Sequence, residues 1–292
     1  MSIPQFTLND GLKIPALALG TANSTGDEGY HAVLAALKAG YRHIDTASAY
    51  NSEEPVGRAI KDSGIPREEI FVTTKLWGDD HKNPEAALAK SLKTLGLDYV
   101  DLYLIHWPIP LTEEGKADPS EDLDFVKTWA KFQKLVGKGT KSIGVSNFDI
   151  VNLEKLLSAE STTVVPAVNQ VELHPSLPQH KLVEFNKSKG IVLEAYSPLG
   201  SKNTQLLDNA ELKKIADRYG VSVANILISW SIWRGVVVLP KSNKPERVEA
   251  NFKVVKLKDE DGEEINQLYK KIGKKRYISP NWGATIFHDE EE

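Results

Sequence analysis

Gly40-Tyr41-Arg42-His43-Ile44-Asp45-Thr46-Ala47 packs a helix stop, a buried strand and a polar strand end into one short stretch. Gly40 follows Lys38-Ala39 at the end of a segment, 27–39, whose apolar residues recur at helical spacing. Glycine is the usual residue just past a helix. The run 43–47 is apolar and of strand length, yet it carries a carboxylate near its closing end. The same unit recurs along the chain. Apolar runs of strand length span 16–20, 43–47, 71–76, 100–106, 142–146, 167–172, 191–196 and 236–240. Helical spacing occupies 27–39, 84–95, 121–136, 150–157, 178–187 and 223–233 between them. Asn83-Pro84 opens one of these segments, and Leu95-Gly96 and Ser188-Lys189-Gly190 close others.

Strands separated by helices lie parallel, with their C-terminal ends on one face. Eight such repeats predict an α/β fold, a (β/α)8 TIM barrel, although rhythm alone also admits a doubly wound sheet. No Gly/Ser-rich linker or composition shift divides the chain, so one domain is expected over 1–292. Ahead of the repeats, runs 6–8 and 13–15 flank Asn9-Asp10-Gly11-Leu12, a hairpin signal, and this β-hairpin is expected to plug one end of the barrel. Segment 108–120 is polar and broken by prolines, which predicts a long loop over the C-terminal face. The tail 274–292 lacks periodicity but carries Tyr277, Trp282 and Phe287, so it is expected to pack near a pocket. Its acidic end, 288–292, reads as a solvated terminus.

The composition is that of a soluble globular chain, with 41% hydrophobic and 26% charged residues. A net charge of -4 offers no basic field for nucleic acid. The absence of cysteine excludes disulfides, thiolate metal sites and cysteine nucleophiles. No signal peptide opens the chain and no apolar stretch approaches the ~20 residues of a membrane helix, so a cytoplasmic location with no membrane partner is expected.

Four residues at the closing ends of these units suggest chemistry. Asp45 lies at the closing end of the second run and Tyr50 in the loop just after it, Lys75 lies in Val72-Thr73-Thr74-Lys75-Leu76-Trp77, and His106 lies in Leu104-Ile105-His106-Trp107-Pro108. Singly, each has an ordinary reading as a cap, a solvated lysine, a core histidine or a packing ring. Jointly they come from consecutive strand ends, where barrel active sites are built. A phenol with pKa ~10 is a poor acid at neutral pH, and a neighbouring ammonium would lower that value. Asp45 would hold Lys75 charged, and neutral His106 would donate a hydrogen bond to a substrate oxygen. No metal-ligand spacing appears. Such a site suits protonation of a carbonyl oxygen while a cofactor delivers hydride.

The glycines of Gly137-Lys138-Gly139-Thr140-Lys141-Ser142 precede a strand and lack the third glycine, so they are not a dinucleotide fingerprint. The better candidate is Pro240-Lys241-Ser242-Asn243-Lys244-Pro245-Glu246-Arg247 at the last strand, where barrels often hold phosphate. A capped surface helix with incidental basic residues remains the alternative there.

With these residues in view, the chain resembles the aldo-keto reductases, most nearly the fungal NADPH-dependent reductases of the glycerol dehydrogenase type. The likeness rests on the 40–45 run, Ile143-Gly144-Val145-Ser146-Asn147-Phe148, Glu194-Ala195-Tyr196-Ser197-Pro198-Leu199-Gly200 and Pro240-Lys241-Ser242. It implies NADPH-dependent reduction of aldehydes and ketones with Tyr50 as general acid, NADH serving as a weaker second cofactor. It also implies that Tyr196 stacks on the nicotinamide while Ser146, Asn147 and Gln170 hold its carboxamide. Ser197, Leu199 and Ser201 would follow the pyrophosphate. Lys241, Ser242, Asn243, Arg247 and Asn251 would hold the adenosine end, with Lys241 and Arg247 on a 2′-phosphate. Trp77, Trp107 and Trp282 would line the pocket for a small carbonyl substrate. Three positions depart from the family pattern: Ala22 replaces a large aromatic, Ala250 an acidic or amide residue, and Asn203 an aspartate. A monomer or weak dimer is expected. A non-catalytic, cofactor-sensing subunit on the same fold is the alternative function.

Overall fold

The computed structural model describes residues 3–120, 124–201 and 204–288. Ten strands are present among them: β1 Gln5–Thr7, β2 Lys13–Pro15, β3 Leu19–Gly20, β4 His43–Asp45, β5 Phe71–Leu76, β6 Val100–Ile105, β7 Thr140–Ser146, β8 Val168–Glu172, β9 Val192–Tyr196 and β10 Val237–Leu239. The helices are α1 Gly26–Ala39, α2 Glu53–Asp62, α3 Pro84–Leu95, α4 Phe125–Phe132, α5 Ile150–Ser158, α6 His180–Ser188, α7 Ala210–Tyr219, α8 Val223–Trp233, α9 Pro245–Asn251, α10 Asp259–Asn266 and α11 Tyr269–Ile272.

Strands β3 to β10 form one eight-stranded parallel sheet in sequence order. Bridges Leu17↔Val238 and Gly20↔Lys241 join its two edges, so the sheet closes as a barrel. This excludes the doubly wound alternative. The first predicted strand, 16–20, is regular only at Leu19–Gly20, because residues 16–18 pair with β10 through isolated bonds such as Ala18 N–H to Val238 O at 2.9 Å.

The opening stretch behaves as its residues dictate. Gly40 ends α1 at φ 111°, and a Cβ there would stand 2.9 Å from the Phe252 ring. Only glycine combines that dihedral with that approach. Tyr41 then turns inward, donating its hydroxyl to Val248 O at 3.0 Å, and His43–Asp45 enters the barrel fully buried. Helix α3 is framed similarly: Asn83 Oδ1 accepts from Ala86 N–H, Pro84 occupies the first turn, and Gly96 follows at φ 65°. The predicted helix 121–136 begins for the described residues at Phe125, where Asp124 caps Lys127 N–H at 2.8 Å, and finishes in a 3₁₀ turn, Gln133–Leu135.

Two apolar layers result. One lies between sheet and helices and includes Leu37, Ile44, Tyr103, Trp129, Phe132 and Trp230. The other lies inside the barrel, where Leu8 and Ile14 of the β1–β2 hairpin meet Phe71, Leu102, Val168 and Val237 near the strand starts. The hairpin plugs that end, so the interior is open only toward the strand C-termini. Gly137 and Gly139 form the turn into β7 at the plugged end, away from any ligand face. Among the described residues no helix is long and apolar enough to cross a membrane.

Candidate active site

At the open end the barrel interior changes from apolar to ionised. Lys75, in β5, has no exposed surface, and its Nζ donates to Asp45 Oδ1 at 2.8 Å, Asp45 Oδ2 at 2.9 Å and Thr46 O at 2.8 Å. Burial pulls its pKa down, but Asp45 and the facing Tyr50 more than reverse this, leaving the ammonium above its ordinary value. Tyr50 sits on a 3₁₀ turn, Ser48–Tyr50, which is tied to β5 because Ser48 donates to Lys75 O at 3.0 Å. Lys75 Nζ lies 4.8 Å from the centre of the Tyr50 ring.

Tyr50 Oη stands 3.4 Å from His106 Nε2, with the rings edge-on. Burial and then the Lys75 charge hold the His106 pKa well below its ordinary value, so the ring is neutral. For Tyr50 the balance differs from the sequence expectation. Lys75 does lower the phenol's pKa, but burial outweighs it and the net direction is upward. The phenol therefore keeps its proton at neutral pH.

Asp45, Tyr50 and His106 line a cavity of about 880 Å³, together with Gly20, Ala22, Trp77, Trp107, Asn147, Tyr196, Ser197, Leu199, Ser201 and Lys241. That volume suits a small-molecule or cofactor site. Lys75 lies beneath the floor. Trp282 packs edge-on against both Trp77 and Trp107, with centroids 5.9 and 5.2 Å away, so the tail reaches the pocket as its aromatics predicted. The 108–120 loop joins it through Ala117 N–H to Trp282 O at 2.9 Å.

The remaining predicted residues divide by depth. Ser146 donates to Gln170 O at 2.8 Å, Asn147 Nδ2 to His106 O at 2.9 Å, and Tyr196 Oη to Asn147 Oδ1 at 2.7 Å. Lys241 marks the end of the last barrel run, while Ser242 and Asn243 occupy the loop beyond it, with Asn243 accepting from Ser24. Arg247 is exposed on α9, and Asn251 is buried there. Lys202 and Asn203, and the acidic end 289–292, fall outside the described residues.

The residues present fit a dinucleotide. Asn147 and Ser197 hold non-glycine backbones at φ 64° and 50° on the cavity wall, strain of the kind kept where a ligand is gripped. Gly20 lines the cavity where the first and last barrel strands meet, and a Cβ there would stand 3.2 Å from Leu239 O, so only a residue without one fits that close approach.

Some site residues escaped the sequence reading. Glu194, fully buried, accepts from Gln170 Nε2 at 2.7 Å. Glu172 binds the tail through Tyr277 N–H at 2.7 Å and Ile278 N–H at 2.8 Å. Asp79, Asp80 and Ile278 line the cavity. The alternation of 192, 194 and 196 could have revealed Glu194, since it puts a carboxyl on the same strand face as Tyr196.

A closed parallel barrel with a buried lysine–carboxylate pair under a phenol and a neutral imidazole, all at the strand C-termini, defines a barrel oxidoreductase. The sequence pattern of the Aldo/keto reductase family matches residues 16–270, and the chain belongs to that family. Aldehyde reductase YPR1 of Saccharomyces cerevisiae is 53% identical, covering 95% of this chain and 94% of that protein. Glycerol 2-dehydrogenase (NADP(+)) of the same yeast is 51% identical over the same shares. The crystal structure of a Bombyx mori aldo-keto reductase in complex with NADP superposes with a TM-score of 0.85, at 39% identity, covering 91% of this chain and 93% of that one.

Proposed function

We propose that this chain reduces aldehydes and ketones to alcohols with NADPH, Tyr50 giving the proton. The observation that carries this reading is the charged, buried Lys75 pinned by Asp45 beneath the Tyr50 ring, with neutral His106 beside the phenol at the floor of an open cavity. The nicotinamide, when bound, supplies hydride to the carbonyl carbon. Tyr50 holds its proton until charge develops on the substrate oxygen and then gives it up there. The Lys75 ammonium stabilises the phenolate left behind. His106, in its Nε2–H tautomer, donates to the same oxygen and fixes its direction. Trp77, Trp107 and Trp282 give apolar walls that exclude water from these charges.

Ser146, Asn147 and Gln170 are assigned to the carboxamide and Tyr196 to the nicotinamide ring. Ser197, Leu199 and Ser201 are assigned to the pyrophosphate. Lys241, Ser242, Asn243, Arg247 and Asn251 take the adenosine end. The NADP named for the yeast glycerol dehydrogenase and the silkworm complex supports NADPH. NADH is assigned as a weaker second cofactor, on the likeness of the sequence alone. Tyr50→Phe tests the reading: turnover, followed as loss of 340 nm absorbance with an activated aldehyde, should fall by about 10²–10⁴-fold. NADPH affinity, measured by protein fluorescence, should stay at the wild-type value. Near wild-type turnover would remove Tyr50 from the role.

A further inference from the structure

Glu194 is a buried carboxyl group that the reaction above does not use. It lies on β9, registered directly against Gln170 of β8. In the closed barrel β8 and β4 are four strands apart, on opposite sides of the interior. Gln170 spans that interior: its Nε2 donates to Asp45 Oδ2 at 2.8 Å and to Glu194 Oε2 at 2.7 Å. Both amide hydrogens are thereby committed, so Oε1 is the polar atom of that amide left for a ligand. We propose that Glu194 is a positioning residue for the reduction, acting through Gln170 on the Asp45–Lys75 pair and on the amide oxygen presented to the cofactor. This rests on the proposed role of Tyr50.

The groups facing Glu194 are Asp45 and His43 from β4, Lys75 from β5 and Gln170 from β8. Glu194 Oε1 has no hydrogen-bond partner among the described residues and lies 3.9 Å from His43 Nε2. His43 has no proton to offer it. Its Nδ1 faces Pro15 O at 3.3 Å, which can only accept, so Nδ1 carries the hydrogen and Nε2 receives the Thr73 hydroxyl at 3.0 Å. An ionised Glu194 would thus be a second carboxylate in a dry interior with one oxygen unpaired, a costly arrangement. Burial and the neighbouring Asp45 raise its pKa to about 8, against the opposing effects of Gln170 and Lys75. At neutral pH Glu194 is therefore a neutral acceptor for Gln170, while Lys75 Nζ is held by the two Asp45 oxygens. When Glu194 ionises, the added negative charge favours the Lys75 ammonium and opposes the Tyr50 phenolate, the form that alcohol oxidation needs.

Glu194→Gln keeps a neutral acceptor for Gln170 but cannot ionise, whereas Glu194→Leu removes the acceptor. Glutamine should leave the NADPH dissociation constant unchanged and move the pH of half-maximal alcohol oxidation downward by about 0.5–1 unit. Leucine should free the Gln170 amide and weaken NADPH binding about tenfold, the worth of one buried hydrogen bond. Wild-type NADPH affinity in Glu194→Leu together with an unmoved pH profile in Glu194→Gln would overturn the proposal. So would a glutamine variant as impaired in binding as the leucine one, which would make Glu194 only a packing group. If Glu194→Leu does not fold, the glutamine profile decides. If Tyr50→Phe proves active, the reading of Tyr50 fails, and the binding comparison still decides whether Glu194 sets the Gln170 amide.

Discussion

A lysine without exposed surface keeps its charge only while every donor is satisfied, and Lys75 meets that condition with two Asp45 oxygens and Thr46 O. Lys75→Met should therefore do two separable things. It strips the phenolate of its counter-charge, so carbonyl reduction collapses. It also strands the Asp45 carboxylate, at about 3–5 kcal/mol of stability for a broken buried pair. Adding Asp45→Asn should restore much of the urea midpoint and none of the turnover. Recovery of turnover would show that the lysine acts only as a structural prop. Arg247, proposed for the adenosine end, is exposed on α9. A charge-assisted bond there should lie at the low end of ~1.5–3 kcal/mol. Arg247→Ala is expected to weaken NADPH about tenfold and leave NADH unaffected, and equal losses would detach Arg247 from the 2′-phosphate. Asp45, Tyr50, Lys75 and His106 were legible because the strand rhythm delivers them to one barrel face. The direction of the Tyr50 shift was not, because it depends on how much water the folded site excludes. Glu194 was hidden for a related reason: its partners Asp45 and Gln170 lie 149 and 24 residues away, and only closure brings them together.

The C-terminal segment shows how an element without secondary structure can still be fixed in place. Glu172, at the end of β8, accepts Tyr277 N–H and His174 Nε2 on Oε1, and Ile278 N–H on Oε2. These bonds hold Ile278 at the cavity and bring Trp282 onto Trp77 and Trp107. Glu172→Ala releases two backbone donors worth about 1 kcal/mol each. The expected result is a several-fold higher KM for the carbonyl with kcat little changed, and new tryptic cleavage within Lys274-Lys275-Arg276. Unchanged proteolysis would mean that the aromatic contacts, with the Lys275 N–H to Ser176 O and Ala117 N–H to Trp282 O bonds, secure the segment without Glu172. The aromatics of this tail announced a packed segment, since apolar rings are rarely left in water. Its anchor was not legible, because a carboxyl that ends a strand reads the same whether it meets solvent or a returning chain.

At the scale of the whole barrel, the buried titratable groups set opposing limits on stability. Burial lowers His43 and His81 to a pKa of about 4 and moves His106 in the same direction. A group depressed in the folded state contributes stability present above its unfolded value, near 6.5, and loses it as pH falls toward 4. Glu194 runs the other way. With its pKa raised to about 8, its contribution is complete below about 4.5 and is lost as pH rises to 8. Each fully buried group changes stability by roughly 1.4 kcal/mol per pH unit inside its window. Between 4.5 and 6.5 the histidines outweigh Glu194, and from 6.5 to 8 the Glu194 window dominates among the shifted groups of the described residues. Thermal midpoints should therefore rise from pH 5 to a maximum near 6.5, then fall by a few degrees toward pH 8. Glu194→Gln removes the alkaline descent and leaves the acid limb intact, so its curve should climb to a plateau. A descent above pH 6.5 of equal size in wild type and Glu194→Gln would assign the loss to another group and mean that Glu194 is ionised well below 8.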